Sequence, residues 1–169
     1  MGGQTAADPR GCRKLGARPG RDTNNVHAAG EDRVGLLIDS SVLGTAKRGR
    51  IRLQSVLAGR ENESLAISVI TASEMLHGIQ RTRTVEQASR RQEFVSFVLE
   101  LFPIIPIDLE VARHHARLWA ELQTRGEMIG PHDLLIAASA LAFGYNVMTL
   151  DVDEFARVPG LRVLNPTSE

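Results

Sequence analysis

Residues 34–43 read VGLLIDSSVL. Three apolar residues, Leu36-Leu37-Ile38, follow a glycine and stop on Asp39. A strand with one wet face alternates apolar and polar residues. A continuous apolar run marks a strand covered on both faces, the pattern of a parallel sheet between helices. The same pattern recurs in LAISVI (65–70), IIPI (104–107), NVMTL (146–150) and LRVLN (161–165), read as strands two to five.

Helical signals fill the intervals. Short helices are expected within 41–49 and 51–59. Thr71-Ala72-Ser73-Glu74 has capping-box spacing, and so does Thr84-Val85-Glu86-Gln87 ahead of a longer helix with Phe94, Phe97, Val98 and Leu101 on one face. Asp108 can cap a helix reaching about Arg125, with Val111, His115, Leu118, Trp119 and Leu122 on one stripe. Gly130-Pro131 opens a further helix, and LLIAASALAF (134–143) is apolar nearly all round until Gly144 ends it. Strands alternating with helices predict an α/β fold, a short parallel sheet flanked by helices on both faces.

Composition bounds the rest. The 169 residues suit one domain; 43% are hydrophobic, so a core can form, but only 4% are aromatic. Twenty acids balance twenty bases, eighteen of them Arg, so net charge does not point to nucleic acid, although a local basic face can exist. The single Cys12 excludes a disulfide framework and a cysteine-rich metal site. No apolar run reaches membrane-spanning length, and the start lacks a secretory apolar stretch, so a cytoplasmic location is expected. Residues 1–33 are rich in Gly, Pro and charge and carry one leucine, which predicts a disordered leader ahead of a domain over 34–169.

Ligands of open parallel sheets bind beyond the carboxyl ends of the strands. Asp39 follows the first strand, Glu74 is expected in the first turn after the second, and Asp151 follows the fourth. Asp133 opens the buried helix that runs back into that strand. Each has a plain structural reading: Asp39 as a helix cap, Glu74 as half of a capping box, Asp133 as a partner of a helix dipole, Asp151 as a turn residue. Together they map to one rim. Two carboxylates about 5 Å apart repel by roughly 3 kcal/mol at an effective dielectric near 20. Such a group either binds a cation or raises its pKa values. Oxygen ligands without Cys or a His pair suit Mg²⁺, or Mn²⁺, and a phosphodiester hydrolysed by metal-activated water is the natural chemistry.

The blocks IDSSVL, ISVITASEMLHGI, IGPHDLLIAASALAFG and VMTLDVDEFARVPGLRVLNP, in this order over about residues 34–166, resemble the PIN domain, in particular the VapC-type toxins of bacterial toxin–antitoxin pairs. The resemblance implies a Mg²⁺-dependent endoribonuclease that cuts RNA, is restrained by a VapB-type antitoxin and forms a homodimer. It aligns Asp39, Glu74, Asp133 and Asp151 with the four catalytic, metal-binding acids. Asp153 is the alternative to Asp151, and Ser40 or Ser41 and Thr149 fall at small polar positions beside the acids. Two other functions stay open: a structure-specific DNA nuclease of the same superfamily, and a non-catalytic module that binds a partner or nucleic acid. The LDVDEF stretch also matches a phosphatase nucleophile motif, but only sixteen residues follow Asp153 to carry the rest of such a site. His77 and His132 read as solvated helix residues or metal ligands, Trp119 and Met128 as core or dimer contacts. Arg81, Arg83, Arg90 and Arg91 read as a solvated face or a grip on the RNA backbone.

Overall fold

A computed structural model describes residues 35–60 and 62–167. The leader expected over 1–33 lies outside the described residues. The chain runs β1 (Gly35–Ile38), α1 (Ser40–Lys47), α2 (Leu53–Leu57), β2 (Ser64–Ser68), α3 (Val69–Gln80) and α4 (Val85–Leu101). It continues with β3 (Ile104–Ile105), α5 (Leu109–Arg125), α6 (Pro131–Phe143), β4 (Tyr145–Met148), α7 (Val152–Phe155) and β5 (Val163–Leu164). The five strands form one sheet in the order β3-β2-β1-β4-β5, and every pairing is parallel.

The apolar run of β1 explains the layering. Leu36, Leu37 and Ile38 are fully buried. Leu37 packs with α5, α6 and Phe155, whereas Leu36 and Ile38 pack with Val42 and Leu43 of α1, Val56 of α2 and Val98 of α4. Successive side chains thus enter cores on opposite faces, as a strand's period of two requires. Gly35 is obligatory for the same crowding: a Cβ there would lie 2.6 Å from the Ser64 carbonyl oxygen and 2.6 Å from the Tyr145 ring.

Chain order sets where a ligand can sit. The chain winds outward from β1 to β2 and β3, then returns to the other side of β1 for β4 and β5. The order reverses between β1 and β4, so the crevice of the sheet opens at their carboxyl ends. Helix α6, which delivers the chain to β4, is buried along Leu134, Ile136, Ala137, Ala138, Ser139 and Ala140, as its composition predicts. Gly144, at φ 70°, turns the chain from α6 into β4.

Local capping signals hold at Thr84, whose hydroxyl accepts from Gln87 N–H, and at Asp108, whose carboxylate accepts from Val111 N–H. The Thr71–Glu74 box does not hold. Ser68, fully buried at the end of β2, caps α3 by accepting from Thr71 N–H at 2.9 Å. Val69 and Ile70 therefore belong to the helix, and Glu74 lies in its second turn instead of its first. The buried face of α4 also differs from expectation. Val95 and Val98 point inward, while Phe97 and Leu101 are exposed. Trp119, likewise expected to pack, is half exposed and stands edge-on to the His115 ring.

Candidate active site

Asp39 is where the central strand meets the crevice. Its N–H continues the ladder by donating to Met148 O at 3.0 Å. Its extended backbone (φ −80°, ψ 157°) then places it as the N-cap of α1. The residue is 2% exposed. Carboxylate Oδ2 accepts three hydrogen bonds: Ser41 N–H at 3.2 Å, Ser41 Oγ–H at 2.6 Å and Thr149 Oγ1–H at 2.9 Å. Each hydroxyl is itself locked from behind. Ser41 Oγ accepts from Leu150 N–H at 3.0 Å, and Thr149 Oγ1 accepts from Asp151 N–H at 3.0 Å. The turn after β4 therefore orients Asp39 through Ser41 and Thr149, and Oδ1 takes no part in this network. Burial pushes the Asp39 carboxyl above the usual range, and the Ser41 and Thr149 bonds pull it part of the way back.

Asp133 occupies the third position of α6, after Pro131 at its start. Its Oδ2 folds over Gly130 so closely that a Cβ there would sit 2.5 Å away, so any larger residue at the N-cap would push the Asp133 carboxylate aside. The Asp133 carboxyl is pushed up to about 7. Desolvation is the largest cause; a hydrogen bond with Glu154 and the charges of Asp39, Glu154 and Glu74 add to it. Three separate carboxylates thus converge on Asp133.

Glu74 arrives from α3 and is held from across the crevice. His132 donates from Nδ1 to Glu74 Oε1 at 2.7 Å, joining α6 to α3. His132 is the exposed helix residue expected from the sequence, and it is also engaged with an acid.

Of the four acids foreseen, the structure gathers Asp39, Glu74 and Asp133. Asp151 is exposed at the N-cap of α7, and its side chain makes no capping bond. The acid that reaches Asp133 from this segment is Glu154, half-buried one turn further along α7. Asp153, the expected alternative, is exposed on that short helix. The signal for Glu154 is present in LDVDEF, but only a helical turn after Asp151 swings it toward Asp133, and a four-residue helix leaves little periodicity to read.

Among the described residues, no three His, Cys, Asp or Glu side chains close around a point as a ready cage. Magnesium does not require one, because it retains several waters and takes only one or two carboxylates directly. The crowding of acids around Asp133 is what a divalent cation would relieve, so Asp39, Glu74, Asp133 and Glu154 are the residues that would hold a hydrated hard ion.

The sequence and the fold are similar to those of known proteins. The PIN domain family matches residues 36–161. Ribonuclease VapC1 of Rickettsia felis is 34% identical over 136 residues, covering 80% of this chain and 99% of that one. Ribonuclease VapC of Rickettsia bellii is 34% identical over 131 residues, covering 78% and 96%. Among solved structures, VapBC2 of Rickettsia felis, bound to a DNA fragment from its promoter, superposes with a TM-score of 0.68 at 27% identity over 77% of this chain and 97% of that chain. DNA-bound VapBC of Salmonella typhimurium shares the fold with a TM-score of 0.72 at 23% identity, over 79% and 98%. Topology and sequence agree: the chain belongs to the PIN domain family, in its VapC branch.

Proposed function

We propose that this chain is the ribonuclease toxin of a type II toxin–antitoxin pair, an endoribonuclease that depends on Mg²⁺ or Mn²⁺. The observation that carries the reading is the convergence of Asp39, Glu74 and Glu154 on Asp133, whose carboxyl is pushed up to about 7 in the absence of a cation. A bound divalent ion would acidify a water and offset the charge of a phosphodiester. Asp39 would be a preset ligand, its carboxylate oriented through Oδ2 by Ser41 and Thr149. His132 fixes Glu74 so that its carboxylate enters the crevice in one orientation. In the metal-free state burial and the neighbouring acids favour the protonated form of Asp133, and a cation there would favour its ionised form. His132 is engaged with Glu74, so a carboxylate of the cluster is the proposed acceptor of the attacking water's proton. Residues of the chain thus supply orientation, charge and a proton acceptor.

A VapB-type antitoxin is the proposed partner. Support comes from similar structures described as VapBC complexes. The proposal also retains a homodimer. Among the described residues no helix is long and apolar enough to cross a membrane.

Purified protein incubated with total cellular RNA is expected to yield discrete new 5′ ends with Mg²⁺ or Mn²⁺ and none with chelator. Cleavage confined to DNA, or no cleavage with either ion, would overturn the reading. The double variant Ser41→Ala/Thr149→Val should lose about 10- to 100-fold in cleavage or metal affinity, the usual effect of removing groups that orient ligands. It also leaves the N–H groups of Leu150 and Asp151 without their partners, so a stability loss of about 1–3 kcal/mol should appear in urea unfolding.

A further inference from the structure

Gly44 in α1 and Gly78 in α3 lie inside helices, where glycine is about 1 kcal/mol less favourable than alanine. Both lie beside guanidinium groups, close enough for a Cβ to touch them. A Cβ on Gly44 would come 3.4 Å from Arg48 Nη1, and a Cβ on Gly78 would come 3.4 Å from Arg91 Nη1. Arg91 crosses from α4 to donate to the Gly78 carbonyl, and Arg48 donates to Thr45 Oγ1 at 2.7 Å. Lys47 completes the group and is half-buried. Its pKa is lowered by burial first, then by the charges of Arg91 and Arg48.

This cationic group lacks counterions. Arg60, Arg90, Arg113 and Arg125 each pair with a glutamate nearby in sequence. Among the described residues Lys47, Arg48 and Arg91 pair with none. In a chain with zero net charge, three gathered cations that form no ion pair are an unfavourable arrangement that an anion would relieve. They line a cleft of about 220 Å³ whose other lining includes Ser40, beside Asp39, and Glu74. The cleft therefore opens onto the acid cluster. A wider depression of about 760 Å³ shares Glu74 and Arg91 with it and runs past His77 and Arg81. Of the basic run 81–91, then, Arg81 and Arg91 face this track, whereas Arg90 is engaged with Glu86.

We propose that Lys47, Arg48 and Arg91 form a binding site for a backbone phosphate of the RNA strand next to the phosphodiester that is cut, an assignment that rests on the nuclease reading above. A strand whose scissile phosphate sits at the acids must carry neighbouring phosphates away from them, and this cleft is the electropositive exit. Guanidinium forks match phosphate oxygens, and the lysine adds a point charge.

The test is metal-free RNA binding, which does not depend on cleavage. A fluorescein-labelled single-stranded RNA is titrated in chelator against wild type, Lys47→Gln, Arg48→Gln and Arg91→Gln, with Lys47→Arg as the conservative variant and Arg113→Gln as the remote control. Each of the three neutral variants should weaken binding by about threefold and reduce the slope of log affinity against log salt by about 0.7 per lost contact. Lys47→Arg and the remote control should keep the wild-type slope. Arg91→Gln also loses the Gly78 bond, so Lys47→Gln and Arg48→Gln decide the matter if that variant is unstable. Unchanged affinity and slope in both would overturn the site while leaving the nuclease reading intact. So would wild type that does not bind RNA, or an acidic peptide that displaces RNA at equal charge concentration. Weakened binding in the variants with no cleavage by metal-loaded wild type would overturn the nuclease reading and leave the anion site standing.

Discussion

Asp39→Asn is expected to lower RNA cleavage about 10²- to 10³-fold with little change in fold. The magnitude follows from removing a fixed charge from a preorganised site, where single groups carry factors of 10²–10³. Asn preserves shape, and its carbonyl oxygen can take the place of Oδ2 and accept the same three bonds from Ser41 and Thr149. Its amide then occupies the position of Oδ1, presenting two hydrogens where a cation would need an oxygen. Burial reinforces the loss, since at 2% exposure no water can move in to supply a substitute ligand without opening the end of β1. The check is paired: cleavage rates with Mg²⁺ and Mn²⁺, and Mg²⁺ binding by calorimetry on the same preparation. Cleavage within tenfold of wild type, or unaltered ion affinity, would remove Asp39 from the metal site.

That aspartate was visible in the sequence because its neighbours are simple. A doubly covered strand cannot place polar groups in its middle, so VGLLID reads as a buried post with a carboxylate at its tip. The parallel strands, the flanking helices and the caps at Thr84, Asp108, Gly130 and Gly144 were legible for the same reason. Each depends on a few adjacent residues whose backbone requirements are strict. Asp133 was legible because a helix that feeds a parallel strand has to begin at the carboxyl edge.

What failed needed information from distant parts of the chain. Ser68 ends β2 and starts α3 at one residue, because a fully buried serine has no water to satisfy it and takes Thr71 N–H instead. The apolar Val69-Ile70 pair disguises that change as continued strand. Glu154 was passed over for Asp151 because proximity to the strand end was the only measure available. The hydrogen bond to Asp133 depends on the packing of α7 against α6. The pairing of His132 with Glu74 spans 58 residues and leaves no local trace. In each case the deciding partner lies outside the window in which periodicity or capping can be read.

Asp133→Asn is expected to stabilise the metal-free protein near pH 8 and to abolish cleavage, two opposite effects from one charge. Burial and the neighbouring acids push the Asp133 carboxyl up to about 7 in the folded chain, against an ordinary value of 3.8. Between those values the folded state holds a proton that the unfolded state has released. Stability then falls as pH rises, because its slope follows the protons bound by the unfolded state minus those bound by the folded state. The contribution is complete below about pH 4 and is lost as pH climbs through 7. At pH 8 the wild type must keep Asp133 ionised beside Asp39, Glu74 and Glu154, whereas the amide carries no such penalty. Because Asp133 is half-buried and partly screened by solvent, the gain should be about 1–2 kcal/mol, less than the full pKa shift implies. That corresponds to a rise of about 3–6 °C in melting temperature for a domain of this size. Other titrating groups affect both proteins, so the informative quantity is the difference between variant and wild type in chelator, which should grow from pH 5 to pH 8. Adding Mg²⁺ should reverse the order at pH 8 by stabilising only the wild type, since ligand binding to the folded state adds stability in proportion to the logarithm of its saturation. A variant no more stable than wild type at pH 8, or a difference that does not change with pH, would show that Asp133 does not carry the strain of the acid cluster. The strain and the cation then form one account: the repulsion that weakens the empty site is the attraction that fills it.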